Sequence, residues 1–440
     1  MLSYRLRSTP YAQCVHFALP VAPLVFRASH HHAPRRRRQS SWAAAVSAAQ
    51  TLFSTPAPPR SRDGISIDPL RIVAKEMKFL TKNIRSLLGS GHPTLDTVAK
   101  YYTQSEGKHI RPLVVLLMSR ATSMTPKKLR QPSLQTVGSI DDPISPSAIL
   151  TDINPSITPL SAASHDVNYE SRDSDILPSQ RRLAEITELI HTASLLHDDV
   201  IDHSLSRRSV PSANIAFGNK MAVLAGDFLL GRASVALARL RDAEVIELLA
   251  TVIANLVEGE FMQLKNTAMD EERPVWTEDT ISYYLQKTYL KSASLISKSC
   301  RAAALLGQSP PEVVEAAYAY GKNLGLAFQL VDDMLDYTVS AEELGKPSGA
   351  DLELGLATAP LLFAWREDNE LGELVGRKFA GEGDVEKARE LVARSDGVEQ
   401  TRALAQEFAD KAVAAISGFP DCEAKEGLVE MCVKTMKRRK

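Results

Sequence analysis

Two short stretches carry carboxylates at a spacing suited to divalent cations: LLHDDVIDHSLSRR at 195–208 and FQLVDDMLDY at 328–337. Each contains DDxxD, as Asp198, Asp199, Asp202 and as Asp332, Asp333, Asp336. On a helix, residues i and i+4 share a face and i+1 lies about 100° round the axis. Each motif therefore presents a carboxylate cluster backed by apolar residues. Carboxylates so packed repel one another and are costly beside Leu and Val unless cations compensate. Magnesium suits them, because it takes one or two carboxylates, keeps waters and gives its other positions to phosphate oxygens. A solvated acidic helix face accounts poorly for two such clusters inside apolar runs.

Cations flank the clusters. Arg207 and Arg208 close the first motif and could fork a diphosphate. EGKHIRP at 106–112 sets Lys108 and Arg111 three apart, before the apolar run 113–118. Lys291 lies in KTYLKSASLI and Lys346 in GKPSG. Taken singly, each of these is more often a solvated surface charge than a ligand.

Long helical runs must position these groups. Apolar residues recur at i, i+3, i+4 and i+7 over 181–204, 219–239, 243–269, 277–307, 310–337, 356–368, 384–395 and 399–417. Breaks carry Gly or Pro, as at Gly307 to Pro311 and Gly345 to Gly349. Residues 68–119 are helical in pattern too, and no stretch shows the period of a strand. Low aromatic content (6%) with abundant Leu and Ala favours helices on helices. The expectation is an all-α fold with one large domain over 63–440. It is interrupted at about 122–178 by a Pro-, Ser- and Thr-rich insertion too polar to repay its ordering entropy.

The near-neutral total charge hides an asymmetry. Residues 1–62 contain nine Arg and no acidic residue, which fits a mitochondrial transit peptide. Of 52 Lys and Arg, 43 remain beyond it against 53 Asp and Glu, a net of −10. So acidic a body argues against nucleic-acid binding, and phosphorylated substrates would need cations to invert the sign of the site. The four Cys are scattered, with no zinc or redox spacing. No run of 18 apolar residues occurs, so no transmembrane segment is expected.

The ordered set GKHIRP, LIHTASLLHDDVIDHSLSRR, FGNKMAVLAGDFLLGRA, EGEFMQLK, KSASLI, FQLVDDMLD and GKPSGADL resembles the trans-polyprenyl diphosphate synthases, most of all the mitochondrial long-chain members that make the ubiquinone side chain. The resemblance covers residues 68–440 apart from the insertion. It implies a helical bundle of the isoprenoid synthase type around a central apolar cavity. It also implies repeated condensation of isopentenyl diphosphate onto an allylic diphosphate, with three Mg2+ per active site held by Asp198, Asp199, Asp202, Asp332, Asp333 and Asp336. By the same resemblance Arg207, Lys291, Ser292, Gln329 and Lys346 bind the allylic diphosphate, Lys291 among the catalytic groups, while Lys108, Arg111, His191 and Arg208 grip isopentenyl diphosphate. Read without it, His191 would be a core histidine. Ala193 and Ser194, one turn before Asp198, are small where short-chain relatives tend to place aromatic rings, which favours a long product. His109, Ser209, Ser292 and Leu356 depart from residues usual in the family. A homodimer in the matrix or on the matrix face of the inner membrane, peripherally associated, is also implied. The alternatives are a class I terpene cyclase, which normally has a mixed second metal motif, and a non-catalytic subunit, which tends to lose the aspartates this chain keeps.

Overall fold

The structure is a computed structural model and describes residues 67–104, 109–127, 175–207, 210–265, 274–338 and 349–438. The stretch 1–62, most of the 122–178 insertion, and Lys108, Arg208 and Lys346 lie outside the described residues.

The predicted 68–119 region resolves into α1 (Pro69–Ile72), α2 (Ala74–Leu87), α3 (Pro93–Gln104) and α4 (Ile110–Ser123). There follow α5 (Pro178–Ile201), α6 (Ala213–Phe217), α7 (Asn219–Ala238), α8 (Ala243–Lys265) and α9 (Glu278–Thr288). A π-helical turn at Tyr289–Ala293 joins α9 to α10 (Ser294–Leu306), and α11 (Pro311–Thr338) comes next. The remainder is α12 (Ala350–Glu353), α13 (Ala359–Trp365), α14 (Glu370–Gly376), α15 (Asp384–Arg394), α16 (Gly397–Ala415) and α17 (Glu423–Met436). Periodicity misses α6, α12, α14 and α17 and overruns both ends of α13, where tertiary packing rather than amphipathic pattern sets the bounds. Proline at the first turn of α5 starts that helix where the missing N–H costs nothing. Gln180 then accepts from the Leu177 N–H at 2.9 Å.

Two long helices carry the aspartate motifs, and each buries about half of its residues. Leu183, Ile186, Leu189, Ile190 and Leu196 of α5 lie in one core with Leu116, Leu117 and Met118 of α4 and with Leu229 and Ala233 of α7. The front half of α11 joins this core through Leu324 and Ala327. Its rear half, Leu330, Val331 and Met334, packs instead with Trp365, Leu361 and Tyr284 in a second core. Each fully buried Leu contributes about 1.5–3 kcal/mol, so α5 and α11 are held far more firmly than their short polar segments could hold themselves.

One expectation needs correction. A short antiparallel pairing exists, with Ser206 opposite Pro211 and Arg207 opposite Val210; strands of two residues are too short to leave a periodic signal. Among the described residues one helix, α7, is long and apolar enough to cross a membrane by length and composition, with a mean hydropathy of 1.5. Lys220, Asp227 and Arg232 interrupt any strict apolar run there, and 44% of the window is buried, chiefly against α5.

The backbones around the π turn approach closely. A side-chain carbon at Gly325 of α11 would lie 2.7 Å from Ala293 Cα, and one at Gly259 of α8 would lie 2.9 Å from the Lys291 nitrogen. Both contacts are with backbone, which cannot swing aside. Gly325→Val is therefore expected to lower unfolding free energy by about 1–3 kcal/mol or more through overpacking, read from urea denaturation.

Candidate active site

The two adjacent residues of the π turn connect the two aspartate motifs. In this turn the Ser294 N–H donates to the Tyr289 carbonyl five residues back, a geometry found disproportionately at functional positions. Lys291 Nζ reaches Glu260 Oε2 at 2.7 Å and donates to Gln263 Oε1 at 3.0 Å, both on α8. Ser292 Oγ donates to Gln329 Oε1 at 2.8 Å, and Gln329 Nε2 donates to Asp333 Oδ1 at 2.8 Å. Lys291 is thus held by α8 in the field of Asp198 and Asp202, while Ser292 reaches the second cluster through Gln329. Lys287, one turn earlier, interacts electrostatically with Asp333 and Asp351 on one side and with Lys291 and Glu260 on the other.

Within each motif the three carboxylates are in different states. The middle ones are buried and saturated. Asp199 is fully buried, receives Arg207 Nε at 3.0 Å and Nη2 at 2.6 Å, and is hydrogen-bonded by Tyr102 Oη. Tyr102 Oη in turn accepts from the Ala213 N–H at 2.8 Å. Asp333 accepts from Tyr284 Oη at 2.5 Å as well as from Gln329. The sequence reading gives all six aspartates one role; the structure separates Asp199 and Asp333, whose oxygens are already engaged by protein donors.

The outer carboxylates are held less completely. Burial pushes the Asp198 carboxyl up to about 7, with Lys291 opposing and Glu260 and Asp202 adding to the rise. Asp202, the C-cap of α5, is raised in the same way, chiefly by burial. Burial alone would lower the Lys291 ammonium, but Asp198 and Glu260 more than offset it and the net shift is upward. In the second motif Asp336 Oδ2 accepts from the Asp351 N–H at 3.3 Å, while its Oδ1 is buried with no hydrogen-bond partner. Asp332 is ion-paired to Arg438 Nη2 at 3.2 Å, and that guanidinium lies 4.1 Å from the centre of the Phe328 ring.

The second group of predicted ligands is also assembled in part. Arg111 Nη1 and His191 Nε2 are 2.8 Å apart, joining the start of α4 to the middle of α5. Beside them His109, with a left-handed φ of 41°, places its Nδ1 2.8 Å from Glu188 Oε1. Ala193 is fully buried, and Ser194 Oγ donates to the His191 carbonyl at 2.9 Å. Glu260, Gln263, Tyr102, Tyr284, Lys287 and Arg438 escape sequence reasoning. Glu260 and Gln263 carried a signal through their place in EGEFMQLK, and Lys287 through its place at the head of KTYLKSASLI.

A family model described as Polyprenyl synthetase matches residues 153–392. A probable hexaprenyl pyrophosphate synthase, mitochondrial, of Neurospora crassa is 71% identical over 91% of this chain and 88% of its own length. Decaprenyl-diphosphate synthase subunit 1 of Schizosaccharomyces pombe is 46% identical over 84% of this chain and 91% of its own. Among solved structures, a polyprenyl synthase from Caulobacter crescentus complexed with calcium and isoprenyl diphosphate superposes with a TM-score of 0.67. It is 30% identical and covers 86% of this chain and all of its own. With the helical fold, the paired aspartate motifs and the Arg111–His191 pair in place, these likenesses show that the chain belongs to the polyprenyl synthetase family.

Proposed function

We propose that this chain is a mitochondrial trans-prenyltransferase. It adds isopentenyl diphosphate repeatedly to an allylic diphosphate and makes the all-trans long-chain tail of ubiquinone. The observation that carries this reading is the π turn, where Lys291, held by Glu260, lies in the field of Asp198 and Asp202 while the next residue, Ser292, reaches Asp333 through Gln329. The naming of the Neurospora relative and the acid-free, Arg-rich residues 1–62, read as a transit peptide, support the location.

The family depends on divalent metal, and the donor set fits it. Asp198 and Asp202 on one side and Asp332 and Asp336 on the other are hard oxygen donors, and the orphaned Asp336 Oδ1 lacks a protein partner. We assign the ion as Mg2+, three per site, held by these four with phosphate oxygens completing the shell. No three His, Cys, Asp or Glu side chains among the described residues form a ready cage, and magnesium bound through substrate phosphates needs none. When bound, the metal neutralises charge developing on the departing diphosphate.

The protein's own residues do the rest. Lys291, Arg207, Ser292 and Gln329, with Lys346, orient the allylic diphosphate so that its C–O bond breaks with both electrons leaving on oxygen. Arg111 and His191, with Lys108 and Arg208, hold isopentenyl diphosphate so that its double bond attacks the allylic carbon, a gain from positioning. A proton is then lost to the released diphosphate, so no side-chain base is assigned. Asp199 and Asp333 we read as supports, Asp199 fixing Arg207 and Asp333 fixing Gln329. Ala193 and Ser194 we assign to product length, because an aromatic ring at either position, one turn before Asp198, would take up space that a growing chain needs.

The chain is read as a homodimer, peripheral to the inner membrane. Support comes from apolar side chains left exposed on α7 and α8, among them Leu224, Val257, Phe261 and Leu264. The name of the Schizosaccharomyces relative, a subunit 1, favours a second arrangement with a different partner chain.

Asp198→Ala and Asp332→Ala are each expected to abolish elongation of farnesyl diphosphate while the circular dichroism spectrum stays helical. Near-normal turnover in either would remove the metal assignment. Asp199→Ala should behave differently, leaving Arg207 without its buried partner and costing about 3–5 kcal/mol of stability in urea, whereas Asp198→Asn should cost little, since it relieves a desolvated charge. Chromatography of dephosphorylated product should show a shorter ladder for Ala193→Phe. Sedimentation of the purified chain should give an active dimer; an inactive monomer would favour the heteromeric arrangement.

A further inference from the structure

Glu260 is a seventh carboxylate at the centre of this site and is not part of either aspartate motif. It is buried, 7% exposed, and points from α8 at the Lys291 ammonium 2.7 Å away. Its other oxygen, Oε1, is buried with no hydrogen-bond partner. Gln263, three residues on and hence on the same face of α8, accepts from the same ammonium at 3.0 Å. The Lys291 backbone is itself wedged against α8 at Gly259, so the lysine is fixed at both ends of its side chain.

We propose that Glu260 and Gln263 are positioning residues that hold the Lys291 ammonium away from Asp198 and Asp202, keeping those two carboxylates free for divalent cations. An ammonium has three N–H donors. Two are committed to α8, and one remains for a diphosphate oxygen. The charges of Asp198 and Asp202 also act on Lys291 through space. Without the Glu260 charge, those two carboxylates become its nearest compensating anions, and the lysine moves onto them in competition with the metal. Glu260 therefore acts through Lys291 on the metal affinity of the first motif, and touches no reacting atom. The inference rests on the assignment of Asp198 and Asp202 as metal ligands.

Calorimetric titration of Mg2+ into the full chain, in the presence of a non-hydrolysable thio analogue of farnesyl diphosphate, tests it. Glu260→Gln, which keeps the shape and removes the charge, should weaken Mg2+ binding about tenfold, with KM for isopentenyl diphosphate unchanged. Combined with Lys291→Met, the same substitution should change Mg2+ affinity less than about twofold relative to Lys291→Met alone, because the competing cation is gone. Glu260→Asp, which keeps the charge, should bind Mg2+ much as the natural chain does, and carries the test should Glu260→Gln not fold. Unchanged affinity in Glu260→Gln overturns the proposal, as does a tenfold loss that persists without Lys291 or appears in Glu260→Asp. A natural chain that binds no Mg2+ with the analogue overturns the metal assignment and this inference together.

Discussion

Everything at the site depends on how closely three backbones approach at the π turn. Gly259 of α8 and Gly325 of α11 remove the side chains that would keep those helices off residues 291 and 293. Helices normally pack 8–10 Å apart, a distance set by the side chains at the contact. Removing those side chains draws α8 and α11 onto the same turn, and its adjacent residues can then serve opposite walls. A more distant packing would separate Lys291 from Glu260 and Ser292 from Gln329, and the two motifs would lose their link.

The site also solves a problem of crowded charge. Six aspartates and Glu260 within apolar helices would each cost several kcal/mol if left bare. The burden is divided. Asp199 and Asp333 are compensated permanently, by Arg207 with Tyr102 and by Gln329 with Tyr284. Asp198, Asp202 and Asp336 are left with fewer donors, and Asp336 keeps a buried oxygen with no partner; burial raises Asp198 and Asp202, and raises Asp333 as well, to about 6, despite its two donors. The same chemical group is thus a rivet at one position and a ligand at the next, and the tyrosines decide which. Tyr102 and Tyr284 come from α3 and α9, far from either motif in sequence.

Charge in the second motif is met from a distance as well. Arg438, two residues beyond α17, reaches back to Asp332 and stacks over Phe328. Lys287, over the Tyr284 ring, is acted on by the charges of Asp333 and Asp351 as well as by Glu260. A body that is strongly acidic in total therefore concentrates a few cations where its carboxylates are densest.

The helical class, the long central helices and the two aspartate clusters were legible because each depends on local pattern: period 3.6 sets a buried face, and DDxxD puts carboxylates on it. Arg111 with His191, and Lys291, were legible only through ordered motifs resembling a known family, since a lone cation in a helix carries no signal of its own. Tertiary structure alone decided that α9 and α10 join through a π turn, that the middle aspartate of each motif is tied to a tyrosine, and that Glu260 and Gln263 grip Lys291. The tyrosine and lysine contacts join residues 28 to 97 positions apart. Periodicity fixes which way a side chain faces on its own helix; which partner waits there depends on how closely the neighbouring helices come, and that was set by two glycines whose effect is felt only in the packed fold.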